Sequence, residues 1–195
     1  MKPADLEMLV ERARRGDTEA VAALYSLHAP AIFRYIAYRV PTEADAEDLT
    51  AEVFLRMVEG LPAYRSEGVP FEAWLYRIAA ARVADFYRRA GRHGQTELFE
   101  SLPDEAPLPE DRLEERHEIA ALKRALGRLS EEQQTILLLR FVERKSHREV
   151  AAILGKSENA IKTLQYRALN RLAGLLGLAH KERHYLRGDD DDPSS

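Results

Sequence analysis

Glu158, Asn159, Lys162, Tyr166 and Arg167 share one side of a helical segment whose other side is apolar. An amide, a carboxylate, two cations and a phenol on one helix face suit hydrogen bonding to base edges and phosphates. A second group is basic and aromatic. Arg77, Arg82, Arg88, Arg89 and Arg92 interleave with Trp74, Tyr76, Phe86 and Tyr87, opposed only by Glu72 and Asp85. Arginine meets phosphate and aromatic rings stack on unpaired bases, so this pattern suits an opened strand. Trp74 and Phe86 also read as core anchors, and Tyr76 or Tyr87 is the ring expected at the surface. A third group lines one side of a helix: Asp45, Asp48, Glu52, Arg56 and Glu59. It is either a solvated face or a docking face for a basic surface. His28, His93, His117, His147, His180 and His184 are scattered, with no H-E-x-x-H spacing. There is no G-x-S-x-G and no phosphate-binding glycine loop. The expectation is no catalytic residue, no metal site and no cofactor.

The elements that must position these groups are helices. Ser146 and Glu149 form an S-x-x-E capping box, so a helix starts at His147. Val150, Ala151 and Leu154 give it a short apolar face. Gly155 ends it in the left-handed conformation, and Ser157 caps the next helix. In that helix Ile161, Leu164, Ala168 and Leu172 form the inward stripe. A short helix, a glycine turn and a second helix with a polar outer face is the helix-turn-helix pattern. The alternative is an ordinary helical hairpin.

Earlier in the chain, a first helix is expected over Pro3–Arg15, ended by Gly16. Asp17 caps a second, with Val21, Leu24, Tyr25 and His28 inward. Pro30 fits the first turn of a third, striped by Ile32, Phe33, Ile36, Ala37 and Val40. Thr42 caps a fourth, about Ala44–Gly60, whose buried side is Ala46, Leu49, Val53 and Met57. Pro62–Phe71 reads as a loop, then Glu72–Ala90 as helix. From Gly91 to about Leu113 periodicity vanishes amid prolines and acids, as in a linker. Helix resumes over Arg112–Arg128 with Ile119, Leu122 and Leu126 aligned. Ser130 and Gln133 then box a helix carrying Ile136, Leu137 and Phe141.

Residues 1–92 and 113–178 thus form two small helical domains in an all-α fold. A flexible acidic linker, 93–112, joins them, and the second domain ends in the helix-turn-helix. Residues 179–195 read as a disordered acidic tail, with Asp189–Asp192 at its core. The chain has no cysteine, which excludes disulfides and Cys-based zinc. No apolar run approaches the ~18 residues of a membrane span, and the amino terminus lacks a signal peptide's apolar core. Cytoplasmic residence without membrane insertion is the expectation. The net charge of −4 looks wrong for a DNA binder until its segregation along the chain is seen.

Six words now fit one family pattern, in its order: GDTEAVAALY at Gly16, DAEDLTAEVFLR at Asp45, FEAWLYRIA at Phe71, DFYRR at Asp85, LSEEQQTILLLRF at Leu129, and HREVAAILGKSENAIKTLQYRAL at His147. Over Asp5–Leu176 the chain resembles the extracytoplasmic-function (group IV) sigma factors of bacterial RNA polymerase. The resemblance implies a first domain that binds core polymerase and the minus-10 element, and a second that binds the minus-35 element. It implies polymerase contacts at Asp45, Asp48, Glu52 and Arg56. It assigns minus-10 contacts to Arg65, Glu67, Arg77, Arg82 and Arg88, the first two in the loop that captures a flipped base. It assigns minus-35 contacts to Glu158, Asn159, Lys162, Thr163, Gln165, Tyr166 and Arg167. The chain departs from the family at Ala51, where Gln is common, at Ala81, where Asn is usual, and at Leu164, where Arg often reads DNA. Gln165, Glu158 or Asn159 then takes over base reading, since Gln and Asn pair with adenine edges. Core polymerase, promoter DNA and an anti-sigma factor are the implied partners, with nucleoid association when polymerase is bound. A stand-alone helix-turn-helix regulator would explain 146–176 alone and leave the acidic and Trp74 helices without a role.

Overall fold

Five polar side chains close helix amino termini. Asp17, Thr42, Ser130, Ser146 and Ser157 each accept a hydrogen bond from the backbone amide three residues on. Three of them are reciprocal boxes, completed by Asp45, Gln133 and Glu149. The computed structural model describes residues 3–66, 68–89 and 110–178, with side chains from residue 5 and, after the gap, from residue 117. Glu67, Arg92, His93, His180, His184, most of the expected linker and the expected acidic tail lie outside those residues.

The first half packs α1 (Pro3–Arg14), α2 (Thr18–Ala37), α3 (Glu43–Gly60) and α4 (Phe71–Arg89) around one core. A short 3-10 turn, Leu61–Ala63, leads out of α3. The second half contains α5 (Glu110–Gly127), α6 (Glu131–Leu137), a π-helical turn at Leu138–Val142, α7 (His147–Leu154) and α8 (Glu158–Leu175). No strand occurs among the described residues.

The two helices expected around Pro30 are one. α2 runs through it, and Pro30 sits exposed on the outer face. Proline there forfeits one backbone bond. The buried stripe Leu24, His28, Ile32, Tyr35 and Ile36 continues across it and holds the helix together. By length and composition α2 is apolar enough to cross a bilayer, contrary to the expectation that no such stretch exists. Its apolar stripe is the one the core buries. Tyr25, expected inward, is half exposed and lies edge-on to Phe54, 4.7 Å between centroids. α5 begins at Glu110, inside the expected linker. Ile119 is exposed while Leu126 is buried.

Of the apolar residues on this helix, Ile136 and Leu137 are buried and Phe141 is 55 % exposed. The cause is the π-helical turn, which inserts an extra residue per turn and shifts the phase of everything after it. Arg144 follows with φ 52°, and Lys145 N–H closes the turn onto the Leu139 carbonyl at 2.9 Å.

That turn also docks the two halves. Arg34 on α2 donates twice to Glu143, at 2.9 and 2.7 Å. Lys145 reaches Glu72 on α4 at 2.6 Å. Between them the Tyr35 hydroxyl and Thr135 Oγ1, both buried, are 3.0 Å apart. The Arg39 guanidinium, also buried, hydrogen-bonds the same hydroxyl and lies 5.0 Å from the Tyr35 ring centroid. Lys123 on α5 donates to the Val40 carbonyl at 3.2 Å.

His28 sits at this seam, its ring 5.6 Å from Phe71. Burial pushes its pKa below the ordinary value; nearby Glu72 pulls it up and Lys145 pushes it down again. The unfolded chain therefore binds the proton more readily than the folded one. Stability from this group is full above about pH 6.5 and is lost as pH falls below it. Thermal denaturation between pH 7.5 and 5 should show the melting temperature falling with acid, and His28→Leu should flatten that fall.

Candidate nucleic-acid interface

The helix-turn-helix is built by its caps and its turn. Ser146 Oγ accepts from Glu149 N–H at 3.2 Å, and Glu149 Oε2 accepts from Ser146 N–H at 2.7 Å. The Ser146 hydroxyl also donates to Glu149 Oε2 at 2.7 Å, and this bond, followed by the one from the Ser146 amide, holds the Glu149 carboxyl below the usual range. Gly155 closes α7 at φ 65°, ψ 38°. Val150, Ala151 and Ile153 of α7 pack on Ile161 and Ala168 of α8, all buried, with Leu164 and Leu172 half-buried beside them. Ile153 is a core residue the periodicity reading passed over; it falls one residue from Leu154 on the same short face.

On the opposite side of α8, Glu158, Asn159, Lys162, Thr163, Tyr166 and Arg167 are all exposed. The structure therefore brings six of the seven expected minus-35 residues onto one open surface. Thr163 donates its hydroxyl hydrogen to the Asn159 carbonyl at 2.9 Å, leaving the oxygen's lone pairs outward. Gln165 differs. Its Oε1 accepts from Arg140 Nε at 3.0 Å and from His147 Nε2 at 3.1 Å. Pairing with an adenine edge needs the amide oxygen and nitrogen together. Gln165 would have to give up both bonds to do so; as placed, it braces α8 against the π-helical turn. Asn159 and Glu158 keep their side chains at the surface.

The basic helix is less uniform than its sequence suggests. Tyr76 and Tyr87, the rings expected at the surface, are both buried, which corrects that expectation. Tyr76 lies edge-on to Tyr35 at 5.2 Å, and the Tyr87 hydroxyl donates to the Arg39 carbonyl at 2.6 Å. Burial raises the pKa of both phenols. Arg77 and Arg88 are exposed and lie within about 20° of each other on the helical projection. Arg82 is half-buried, about 140° from Arg77, and pairs with Asp85 at 2.5 Å. Arg88 pairs with the same carboxylate.

The loop before this helix is backed by rings. Trp74 lies 4.7 Å from Tyr64 and 5.6 Å from Phe71, centroid to centroid. Gly60 makes that possible: a Cβ there would stand 2.8 Å from the Trp74 ring. Arg65 is exposed, its guanidinium donating to the Tyr64 carbonyl at 2.9 Å.

On α3, Asp45 belongs to the Thr42 capping box, accepting from the Thr42 hydroxyl at 2.6 Å. Asp48 is exposed. Glu52 is half-buried, 3.7 Å from Arg89, and Arg56 pairs with Glu59 at 2.8 Å. Two residues that the sequence reading missed stand among them. Leu55 is 59 % and Val58 45 % exposed. They lie off the buried stripe Ala46, Leu49, Val53 and Met57, and that offset was the available signal. Apolar side chains ringed by acids on one helix face suit a protein partner. Among the described residues no three His, Asp or Glu side chains gather as a metal site would require.

The chain thus carries an aromatic-backed loop and a basic helix in its first half and a helix-turn-helix in its second. Residues 24–93 match the Sigma-70 region 2 family and 119–172 the Sigma-70, region 4 family. The chain is 42% identical over 170 residues to the ECF RNA polymerase sigma factor BldN of Streptomyces coelicolor, covering 86% of this chain but 64% of that relative. It is 36% identical over 177 residues to the ECF sigma factor ShbA of Streptomyces griseus, covering 86% of this chain and 93% of ShbA. SigD of Mycobacterium tuberculosis is 36% identical over 179 residues, covering 88% and 84%. Among solved structures, CnrH in complex with the cytosolic domain of CnrY superposes with a TM-score of 0.64 at 25% identity, over 88% of this chain and 97% of that one. The chain belongs to the extracytoplasmic-function sigma factors of the sigma-70 family.

Gly155 carries the turn with open space around its Cβ position, so substitution there is penalised by backbone conformation alone. Gly155→Ala should cost about 1–2 kcal/mol in chemical denaturation of the full chain. Ser157→Ala should cost about 1 kcal/mol by loss of the cap.

Proposed function

We propose that the chain is a dissociable initiation factor that binds core RNA polymerase and directs it to particular promoters. The acidic α3 face, Asp48 and Glu52 with Arg56 and the exposed Leu55 and Val58, docks on polymerase; Asp45 shapes its amino end. α8 enters the major groove at the minus-35 element through Glu158, Asn159, Lys162, Thr163, Tyr166 and Arg167. Arg65, Glu67, Arg77, Arg82 and Arg88 serve the minus-10 element, where Tyr64, Phe71 and Trp74 back the base-capturing loop. Chemistry on RNA belongs to polymerase, so this chain is a binding protein without a catalytic residue. It works in the cytoplasm, on the nucleoid when bound to polymerase. Solved relatives appear in complex with other proteins, CnrH with CnrY and the Bartonella quintana sigma factor RpoE with the anti-sigma factor NepR; an anti-sigma factor for this chain follows by analogy.

The observation that carries this reading is the exposure of six reading-face residues on a capped α8, on the same chain as the acid-and-leucine face of α3. Low net charge fits a protein that binds DNA well only with polymerase, because phosphate attraction is weak over the whole chain.

Purified chain added to core polymerase should start RNA at defined positions on genomic templates. Asp48→Arg with Glu52→Arg should weaken association with core by at least about tenfold through charge repulsion. Lys162→Ala should weaken minus-35 recognition by about 1–3 kcal/mol while leaving core association intact. Tight duplex binding without polymerase, and no promoted start site with it, would favour a stand-alone regulator.

A further inference from the structure

We propose that Gly60 is a positioning residue for strand capture: by carrying no side chain it fixes where the Trp74 ring lies, and through that ring the base-capturing loop. The proposal deepens the initiation-factor reading and rests on it for what the loop does.

Nothing in the backbone asks for glycine here. Gly60 closes α3 at φ −86°, ψ −18°, an ordinary right-handed conformation that any residue adopts. Glycine in a helix is less favourable than alanine, because it gives up more chain entropy. Its reason is steric. A Cβ on Gly60 would stand 2.8 Å from Trp74 Cζ2 and 3.3 Å from Cη2. The ring has little room to retreat. Tyr64 lies 4.7 Å and Phe71 5.6 Å from it, centroid to centroid. Phe71 is itself buried and backed by His28 at 5.6 Å. A close-packed cluster of this kind passes a displacement on instead of absorbing it.

The displacement would arrive at the loop. Tyr64 stands near its start and Trp74 just past its end, so the ring pair ties the two ends together. The Tyr64 amide donates to the Leu61 carbonyl at 3.1 Å, and the Tyr64 carbonyl accepts from the Arg65 guanidinium at 2.9 Å. Tyr64 and Phe71, the two rings against Trp74, also line a cleft of about 630 Å³ together with Arg65 and Val69. That volume suits a small ligand, and an unpaired base offers such rings a face to stack on. The residue without a side chain thus decides where the stacking rings stand.

The chain has one tryptophan, so its emission reports this contact alone. Gly60→Ala in the full chain should move that emission to longer wavelength as the ring is pushed toward solvent. With core polymerase at a mapped start site, permanganate reactivity of the unpaired thymines should fall by about tenfold. Association with core and holoenzyme binding to duplex minus-35 DNA should stay at the parent level, whereas general loss of structure would lower all three. Phenylalanine lacks the two ring atoms nearest Gly60. Gly60→Ala added to Trp74→Phe should therefore give at least the reactivity of Trp74→Phe alone, a comparison that stands should the single alanine variant fold poorly. Unchanged emission from folded Gly60→Ala overturns the contact. Shifted emission with parental reactivity, or a double variant below Trp74→Phe, overturns the positioning role. No start site with the parent chain would instead defeat the initiation-factor reading, while the emission still decides the contact.

Discussion

The hydroxyl pair Tyr35–Thr135 is the contact on which the arrangement of this molecule turns. Both groups are buried, one from each half, and the Arg39 guanidinium lies against them. A buried polar group needs a partner or water, and losing it costs more than the bond contributes when made. Together the halves satisfy Tyr35 from two directions. Apart, the same groups must be met by solvent or by another protein. The flanking ion pairs have the same property, because a half-buried Glu143 left without Arg34 is penalised more than the pair is rewarded.

Around these ties runs one continuous apolar cluster with side chains from both halves. α1 to α4 bury Leu24, Ile32, Ile36, Val53, Met57 and Leu75 almost completely; α6 to α8 do the same with Ile136, Leu139, Val150 and Ile161. These clusters fix where the working faces point. The stripe of α8 turns Lys162 and Tyr166 outward, and the stripe of α3 leaves Asp48 and Leu55 outside. Binding surfaces carried on packed helices need little ordering when a partner arrives.

Local chemistry was legible in the chain. Every expected amino-terminal cap is present, and Gly155 takes the left-handed conformation its place after Leu154 requires. These signals act over three or four residues, so no distant contact competes with them. What the chain concealed is set by distance. Pro30 reads as a helix start, yet a buried stripe on both sides overrides it. Tyr76 and Tyr87 read as a stacking platform; Tyr35 and the Arg39 carbonyl, about forty to fifty residues away in the chain, draw them inward. The π-helical turn has no composition signature. It moves Phe141 out, and the ion pair of Glu143 with Arg34 spans 109 residues. Gln165 reads as a base contact by residue type, and only the arrival of Arg140 and His147 shows it braced. Leu55 and Val58 were visible as apolar residues off the stripe, and went unread because the acids around them dominated the helix.

The claim at the centre is that the outer face of α3 docks the chain on core polymerase. Leu55 and Val58 stand outside the buried stripe, so Leu55→Ser with Val58→Ser keeps the core and removes only the apolar part of that face. Binding of core polymerase, read by the anisotropy of the labelled full chain, should weaken by about tenfold. Unchanged binding by the folded double variant would contradict the account.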